Sequence, residues 1–314
     1  MKFINEYKES DRVCDIYLCK QKTAAVTKNG KPYETLVLQD KTGVIDAKIW
    51  DPGGAGISDF DALDYIEVHG EVNNFQGVLQ VNIKRVRRCE KGDYCPADYL
   101  PKSRHDIDAM YDELLGFITQ LKNTHLQTLM TDIFINDDEL AASFKQSSAA
   151  KSIHHSFVGG LLEHTLSVVR LCDYLAKSYP FLQRDLLISA ALCHDIGKVK
   201  EISSFPQNDY TDEGQFIGHI VIGSEMLKEK IVKIPDFPDF LAGALRHCIL
   251  SHHGEFAFGS PKKPAIVEAV ALNFADNTDA KLQIFSEALE KSSEIGWQSY
   301  NRLFESKIIA TRME

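Results

Sequence analysis

Residues 190–200 read AALCHDIGKVK, and the reading of that stretch decides the larger part of the fold. Ala, Leu and Cys belong in a helix core, yet the segment carries a histidine and an aspartate side by side, with a lysine just beyond. Buried polar and charged groups are costly unless something pairs with them. Outward from this segment the pattern is helical. In DIDAMYDELLGFITQL (106–121) apolar residues recur at 107, 110, 111, 114, 115, 118 and 121, the stripe of an amphipathic helix. Segments 161–179, 184–198, 218–231, 239–254 and 265–289 continue in the same register with no strand signal between them. Residues 105–314 are therefore expected to form an all-α unit, with His194 and Asp195 inside the helix 184–198.

The histidines concentrate in this part. Of eleven, only His69, His105 and His125 precede position 150. His164, His194, His219, His252 and His253 each sit in or at the end of an apolar helix, with Asp195 and Asp276 interleaved. A lone histidine on such a helix is most often a hydrogen-bonded core residue. Five of them with two carboxylates would each need a separate buried partner, and the sequence offers few nearby. A shared pair of divalent cations satisfies them together, since imidazole and carboxylate are the usual ligands of Mn, Fe, Co and Zn. Adjacent helical residues point about 100° apart, so His194 and Asp195 approach a metal from two angles. Lys198 falls on the same face, at i+3 from Asp195 and i+4 from His194; it reads as a phosphate contact or as a surface lysine after Gly197. His247 reads as a substitute ligand or, in preference, as core or a support to the ligands, and His154 and His155 as phosphate contacts or as a cap at the entry to the helix.

The order H…HD…H…HH…D (164, 194–195, 219, 252–253, 276) resembles the HD-domain superfamily of metal-dependent phosphohydrolases. The extra histidine between HD and HH resembles its dinuclear members. The resemblance implies that Asp195 bridges two metals, that His164, His194 and Asp276 complete one site, and that His219, His252 and His253 complete the other. It implies a catalytic role for Lys198 beside Asp195, at a phosphate oxygen or the leaving group. Two cations ~3.5–4 Å apart polarise a phosphoryl oxygen and turn water into a hydroxide nucleophile at neutral pH, so the substrate is a phosphate ester.

The first ninety residues follow a different period. YETLVLQDKTGVIDAKIWD (33–51) alternates apolar and polar across two short runs with a turn at Asp40–Gly43, and DYIEVHGEVNNFQGVLQVNIKRVRR (64–88) does so with a turn between Asn73 and Gly77. The pattern resembles an OB-fold barrel, and DKTGVIDAKIW resembles OB-folds that bind single-stranded nucleic acid. Lys84, Arg85, Arg87 and Arg88 cluster on the last strand, with Tyr33, Trp50, Tyr65 and Phe75 on its neighbours. Basic residues with exposed aromatics are what sequence-tolerant binding of single strands uses. The alternative is structural: strand-end cations protect a sheet edge, and aromatics of a small barrel are usually core, which places Trp50 inside. RCEKGDYCPADYLPKSRHD (88–106) has two prolines and no periodicity, so residues 91–104 read as an extended linker between a nucleic-acid-binding domain (1–90) and the helical domain (105–314).

Composition limits the alternatives. The 314 residues carry a net charge of −10, with 44% hydrophobic and 25% charged residues, as in an ordinary globular protein. Residues 1–90 hold 13 Lys and Arg against 14 Asp and Glu, so the acidic excess lies in the helical part. Seven cysteines without a C-x-x-C pair argue against a disulfide framework or a zinc ribbon. MKFINEYKESDR has no apolar core of a leader, and no run approaches the ~18 apolar residues of a membrane span. A cytoplasmic protein is expected, its oligomeric state open, a homo-oligomer included.

An OB-fold ahead of an HD domain resembles the YhaM family of 3′→5′ exoribonucleases, in which GGLLEHTLSVV, LCHDIGKV, LSHHGEFAFGSP and FADNTDAK look like the family's blocks. The resemblance implies two divalent ions, Mn²⁺ first with Co²⁺, Fe²⁺ or Zn²⁺ as alternatives. It implies single-stranded RNA as substrate, single-stranded DNA as a further one, and nucleoside 5′-monophosphates as product. One alternative is a nucleotide or second-messenger phosphohydrolase with a regulatory OB domain, against which the chain lacks the GYP and HDxxED strings of such enzymes. The other is a single-strand-binding protein without activity, against which every ligand position is filled.

Overall fold

The computed structural model describes residues 2–151, 155–290 and 296–311. It divides into two compact units, Met1–Lys102 with Ser204–Asn208, and Ser103–Ser203 with Asp209–Glu314.

The first unit is the expected barrel. Strands β1 (Arg12–Val26), β2 (Pro32–Asp40), β3 (Gly43–Ile49), β4 (Tyr65–Phe75) and β5 (Val78–Arg88) close in the order β1-β2-β3-β5-β4. All neighbours are antiparallel except β3 and β5. This is the five-stranded OB-fold. Period-2 alternation turns Leu36, Leu38, Ala47, Ile49, Val68, Val81 and Ile83 into the barrel, where they are buried. Each such Leu, Ile or Val contributes about 1.5–3 kcal/mol of burial. The β2–β3 turn is closed by Asp40, whose Oδ1 accepts from Thr42 N (2.7 Å) and Gly43 N (3.2 Å).

Two expectations for this unit change. Trp50 is not core: it is 51% exposed. Ile45, Ala47 and Ile49 face inward, so Asp46, Lys48 and Trp50 share the outward parity. Nor is 91–104 an extended linker through most of its length. Tyr94 stacks on Tyr65 with ring centroids 3.7 Å apart. Tyr99 is buried and its carbonyl accepts from Gln39 Nε2 at 3.0 Å, and Lys41 pairs with Asp98.

The second unit is helical: α1 (Ile107–Thr119), α2 (Thr124–Phe134), α3 (Asp138–Gln146), α4 (Gly160–Ser178), α5 (Arg184–Cys193), α6 (Lys198–Glu201), α7 (Asp212–Phe216), α8 (His219–Ile231), α9 (Asp239–Ser251) and α10 (Val267–Glu290). Side-chain caps from Asp106, Asn123 and Asp137 start the first three. The buried α4 and α5 pack together, and α10 lies across both. Two-residue strands β6 (Tyr300–Asn301) and β7 (Ser306–Lys307) add a small hairpin near the end. Among the described residues no helix is long and apolar enough to cross a membrane.

Helix α5 is shorter than the sequence pattern implies. It ends at Cys193, and residues 194–197 form a turn before α6. Within that turn Gly197 packs tightly: a Cβ there would lie 2.1 Å from His219 O and 2.7 Å from Gly223 N. The backbone of α8 occupies the space that a side chain would take.

Candidate functional site

His164 sits on the first turns of α4, His194 and Asp195 in the turn after α5, and Lys198 at the start of α6. His219 opens α8, His252 and His253 follow α9, and Asp276 lies in α10. These distant segments converge. His164 Nε2 is 3.1 Å from His194 Nε2, 3.5 Å from Asp195 Oδ2 and 3.2 Å from Asp276 Oδ1. On the other side of the same carboxylate, Asp195 Oδ1 lies 3.4 Å from His219 Nε2 and 3.7 Å from His252 Nε2. His219, His252 and His253 bring one ligand atom each within 4.8 Å of one another. All seven sequence-selected ligands are thus in one centre, and each Asp195 oxygen faces a different group.

The outer ring atoms explain why the Nε2 atoms point inward. His194 Nδ1 is 2.8 Å from Ala191 O, His252 Nδ1 2.7 Å from Ile249 O and His253 Nδ1 2.9 Å from Phe258 O. His164 Nδ1 is 2.7 Å from Asp279 Oδ2, and His219 Nδ1 2.9 Å from Glu201 Oε1. A carbonyl or carboxylate oxygen only accepts, so every one of these Nδ1 atoms carries the proton. Each Nε2 is left to face the centre. Asp195 Oδ1, His219 Nε2 and His252 Nε2 are buried with no hydrogen-bond partner. A proton at His164 would serve only one of the three atoms around its Nε2, whereas a cation serves them all. This donor set fits a divalent-metal pair.

Electrostatics favour the same occupant. Burial raises Asp195, Asp276, Asp279 and Glu201, but neighbouring histidines, and Lys198 at Asp195 and Glu201, outweigh it and hold all four low. Burial alone would lower His164, yet Asp276 and Asp279 carry it up to about 9, so a cation taking this place displaces the His164 proton. Burial also lowers His252 and His253, keeping them neutral as ligands must be. An ammonium is supplied by Lys198, whose Nζ is 2.7 Å from Asp195 Oδ2. Burial disfavours its charge, and Asp195 restores it. The centre opens into a cleft of about 860 Å³ lined by His164, Asp195, Lys198, His219, His253 and Asp276.

Asp279 and Glu201 were not among the residues selected from sequence. Their signals were slight: Asp279 is one turn beyond Asp276, and Glu201 lies six residues past Asp195. His155 shares Asp279 with His164, its Nε2 3.3 Å from Oδ2. His247 is engaged elsewhere, its Nε2 accepting from Ala265 N at 2.9 Å. His154 lies outside the described residues.

On the barrel, Tyr33 and Trp50 stack with centroids 5.3 Å apart, and Lys48 Nζ lies 5.1 Å from the Trp50 ring and 5.5 Å from Phe75. Phe75 is 57% exposed. The basic strip is otherwise disposed. Lys84 pairs with Glu71, Arg87 with Glu67 and Asp93, and Arg88 with Asp64. Arg85 joins Lys84 at an open groove of about 650 Å³ beside His69 and Glu71.

An HD domain model matches residues 161–281. The 3′-5′ exoribonuclease YhaM of Bacillus velezensis is 35% identical over 283 residues, 90% of this chain and 88% of that protein. The 3′-5′ exoribonuclease YhaM of a Geobacillus species is 34% identical over 292 residues, 92% and 89% of the two. The chain belongs to the YhaM family of 3′-5′ exoribonucleases. Among solved structures, the second OB-fold domain of replication protein A from Methanococcus maripaludis covers 29% of this YhaM-family chain and 96% of its own, at 22% identity and a TM-score of 0.22. The HD domain of L. monocytogenes phosphodiesterase PgpH covers 50% and 76%, at 17% identity and a TM-score of 0.31.

Proposed function

We propose that this YhaM-family hydrolase removes nucleotides one at a time from the 3′ end of single-stranded RNA, and of single-stranded DNA as a second substrate, releasing nucleoside 5′-monophosphates in the cytoplasm. The observation that carries the reading is the set of inward Nε2 atoms around Asp195, in which His219 Nε2 and His252 Nε2, together with Asp195 Oδ1 itself, are buried without a hydrogen-bond partner. One divalent ion would be held by His164, His194, Asp276 and Asp195 Oδ2, the other by His219, His252, His253 and Asp195 Oδ1. Manganese is the first candidate, with Co²⁺, Fe²⁺ and Zn²⁺ as alternatives. Such ions, when bound, polarise a phosphoryl oxygen and acidify water.

The chain's own side chains do the remaining work. Asp195 ties the two ligand sets to one carboxylate, and Asp279 and Glu201 orient His164 and His219. Lys198, lining the same cleft, meets a phosphate or leaving-group oxygen with its ammonium, so Asp195 and Lys198 are the catalytic pair. The cleft volume is that of a small-ligand pocket, which suits the end of a strand and not a duplex. In this division of labour residues 1–90, extended by the packed stretch to 102, hold the strand, and the helical domain cuts it. Tyr33, Trp50, Phe75 and Lys48 supply stacking and charge, with Lys84, Arg85, Arg87 and Arg88 contributing a weaker electrostatic share.

The test uses metal-stripped protein, 5′-labelled single-stranded RNA and DNA, a duplex control and cyclic dinucleotides, with Mn²⁺, Co²⁺, Fe²⁺, Zn²⁺ or none. The expected result is a metal-dependent ladder shortening from the 3′ end, with mononucleotide products. Intact oligonucleotides beside hydrolysed cyclic dinucleotides would replace this reading with that of a second-messenger phosphohydrolase. Binding without cleavage under every metal would leave a single-strand-binding protein.

A further inference from the structure

We propose that Phe258 and Phe274 form a stacking subsite for the 3′-terminal base of the strand, an inference that rests on the nuclease reading above. Both rings line the cleft that holds the metal ligands, and both are largely exposed, at 69% and 62%. Neither carries a ligand atom. Large rings left in water beside a reaction centre are positioned for an apolar or π-faced occupant.

Both are also registered to the centre through its ligands. The Phe258 carbonyl accepts from His253 Nδ1 at 2.9 Å, so the turn that presents this ring also orients a metal ligand. That turn, Phe256–Phe258, runs between Gly254 (φ +80°) and Gly259 (φ +83°). A Cβ at Gly254 would lie 2.6 Å from Asn273 Nδ2, the atom that donates to His252 O at 2.7 Å. Phe274 follows Asn273 and precedes Asp276 by two residues on α10. A base held by these rings is thereby set at a fixed place relative to the phosphate under attack. Stacking tolerates any sequence, because every base has a π-face. The subsite therefore demands a base but no particular one.

The experiment compares metal-loaded wild type, Phe258→Ala, Phe274→Ala and Phe274→Tyr on single-stranded oligonucleotides ending in a normal or an abasic 3′ nucleotide. Wild type is expected to prefer the base-bearing end in kcat/KM by about tenfold to a hundredfold, from the usual strength of one base–aromatic stack. The alanine variants should bring that ratio toward one, mainly through KM, and Phe274→Tyr should keep it. Metal content, measured in parallel, should match wild type in every variant. A wild-type ratio near one overturns the subsite even if the alanine variants do not fold. So do alanine variants that keep the wild-type ratio, including any that change oligomeric state instead. Failure of wild type to shorten either oligonucleotide from its 3′ end would instead be a failure of the nuclease reading.

Discussion

The barrel and the helical centre treat charge in opposite ways. On the barrel Lys22, Lys84, Arg87 and Arg88 each meet a carboxylate from a neighbouring strand or turn, so these charges are balanced within the fold. In the helical centre Asp195, Asp276, Asp279 and Glu201 gather among imidazoles whose nitrogens turn toward one another, with the Lys198 ammonium on Asp195. Balanced charge at a surface adds little stability, and unbalanced buried charge is tolerated only where something else arrives. On the barrel the unfilled requirement is apolar: Trp50 and Phe75 stand in solvent around Lys48. In each unit, function is sought where the local rule is broken.

The comparison breaks first at Asp195. Asp195→Ala removes the shared ligand of both groups and should reduce hydrolysis by roughly a thousandfold or more, since such groups act as a unit. Oligonucleotide affinity, read by fluorescence anisotropy, should persist on the barrel; retained turnover would break the contrast. Next come the carboxylates behind the histidines. Glu201→Gln and Asp279→Asn should each weaken metal affinity by about 10- to 100-fold, as second partners of metal-bound histidines do; calorimetric titration of stripped protein checks this. Unaltered affinity would make both carboxylates merely structural.

The barrel sharpens the other side. Trp50→Ala should weaken single-strand binding by about tenfold, one stacked base's worth, without altering metal content. The smallest effect is expected from Lys84→Ala, Arg87→Ala and Arg88→Ala combined. Their charges already have partners, so affinity should fall severalfold at most and the salt slope change by less than three fully engaged phosphate contacts would require. A loss exceeding that of Trp50→Ala would return the strip to the centre of the interface.

The cluster of candidate ligands was legible in the sequence because each is a polar residue in an apolar helical context, and the adjacent pairs His194–Asp195 and His252–His253 leave little room for separate partners. Asp279 and Glu201 were not, because a carboxylate near a polar helix face looks the same whether it is solvated or supports a histidine. Trp50 was misplaced by a general habit of small barrels, although the alternation Ile45, Ala47, Ile49 already assigned it to the outer parity. Tyr94 and Tyr99 show how prolines and absent periodicity conceal packing that rests on a few aromatic contacts. The turn after Cys193 was hidden for a related reason: the close approach of α8 at Gly197 is a tertiary contact that the apolar pattern does not report.

That glycine has a wider consequence. Because the main chain of α8 lies directly against Gly197, the offset between the His194–Asp195 turn and His219 is fixed by two backbones in contact, with no rotamer to adjust it. Even a methyl group at position 197 would act as a wedge, forcing the halves of the centre apart although none of the candidate ligands had been substituted. Such a protein would keep the full inventory of its chemistry and lose the spacing on which that chemistry depends.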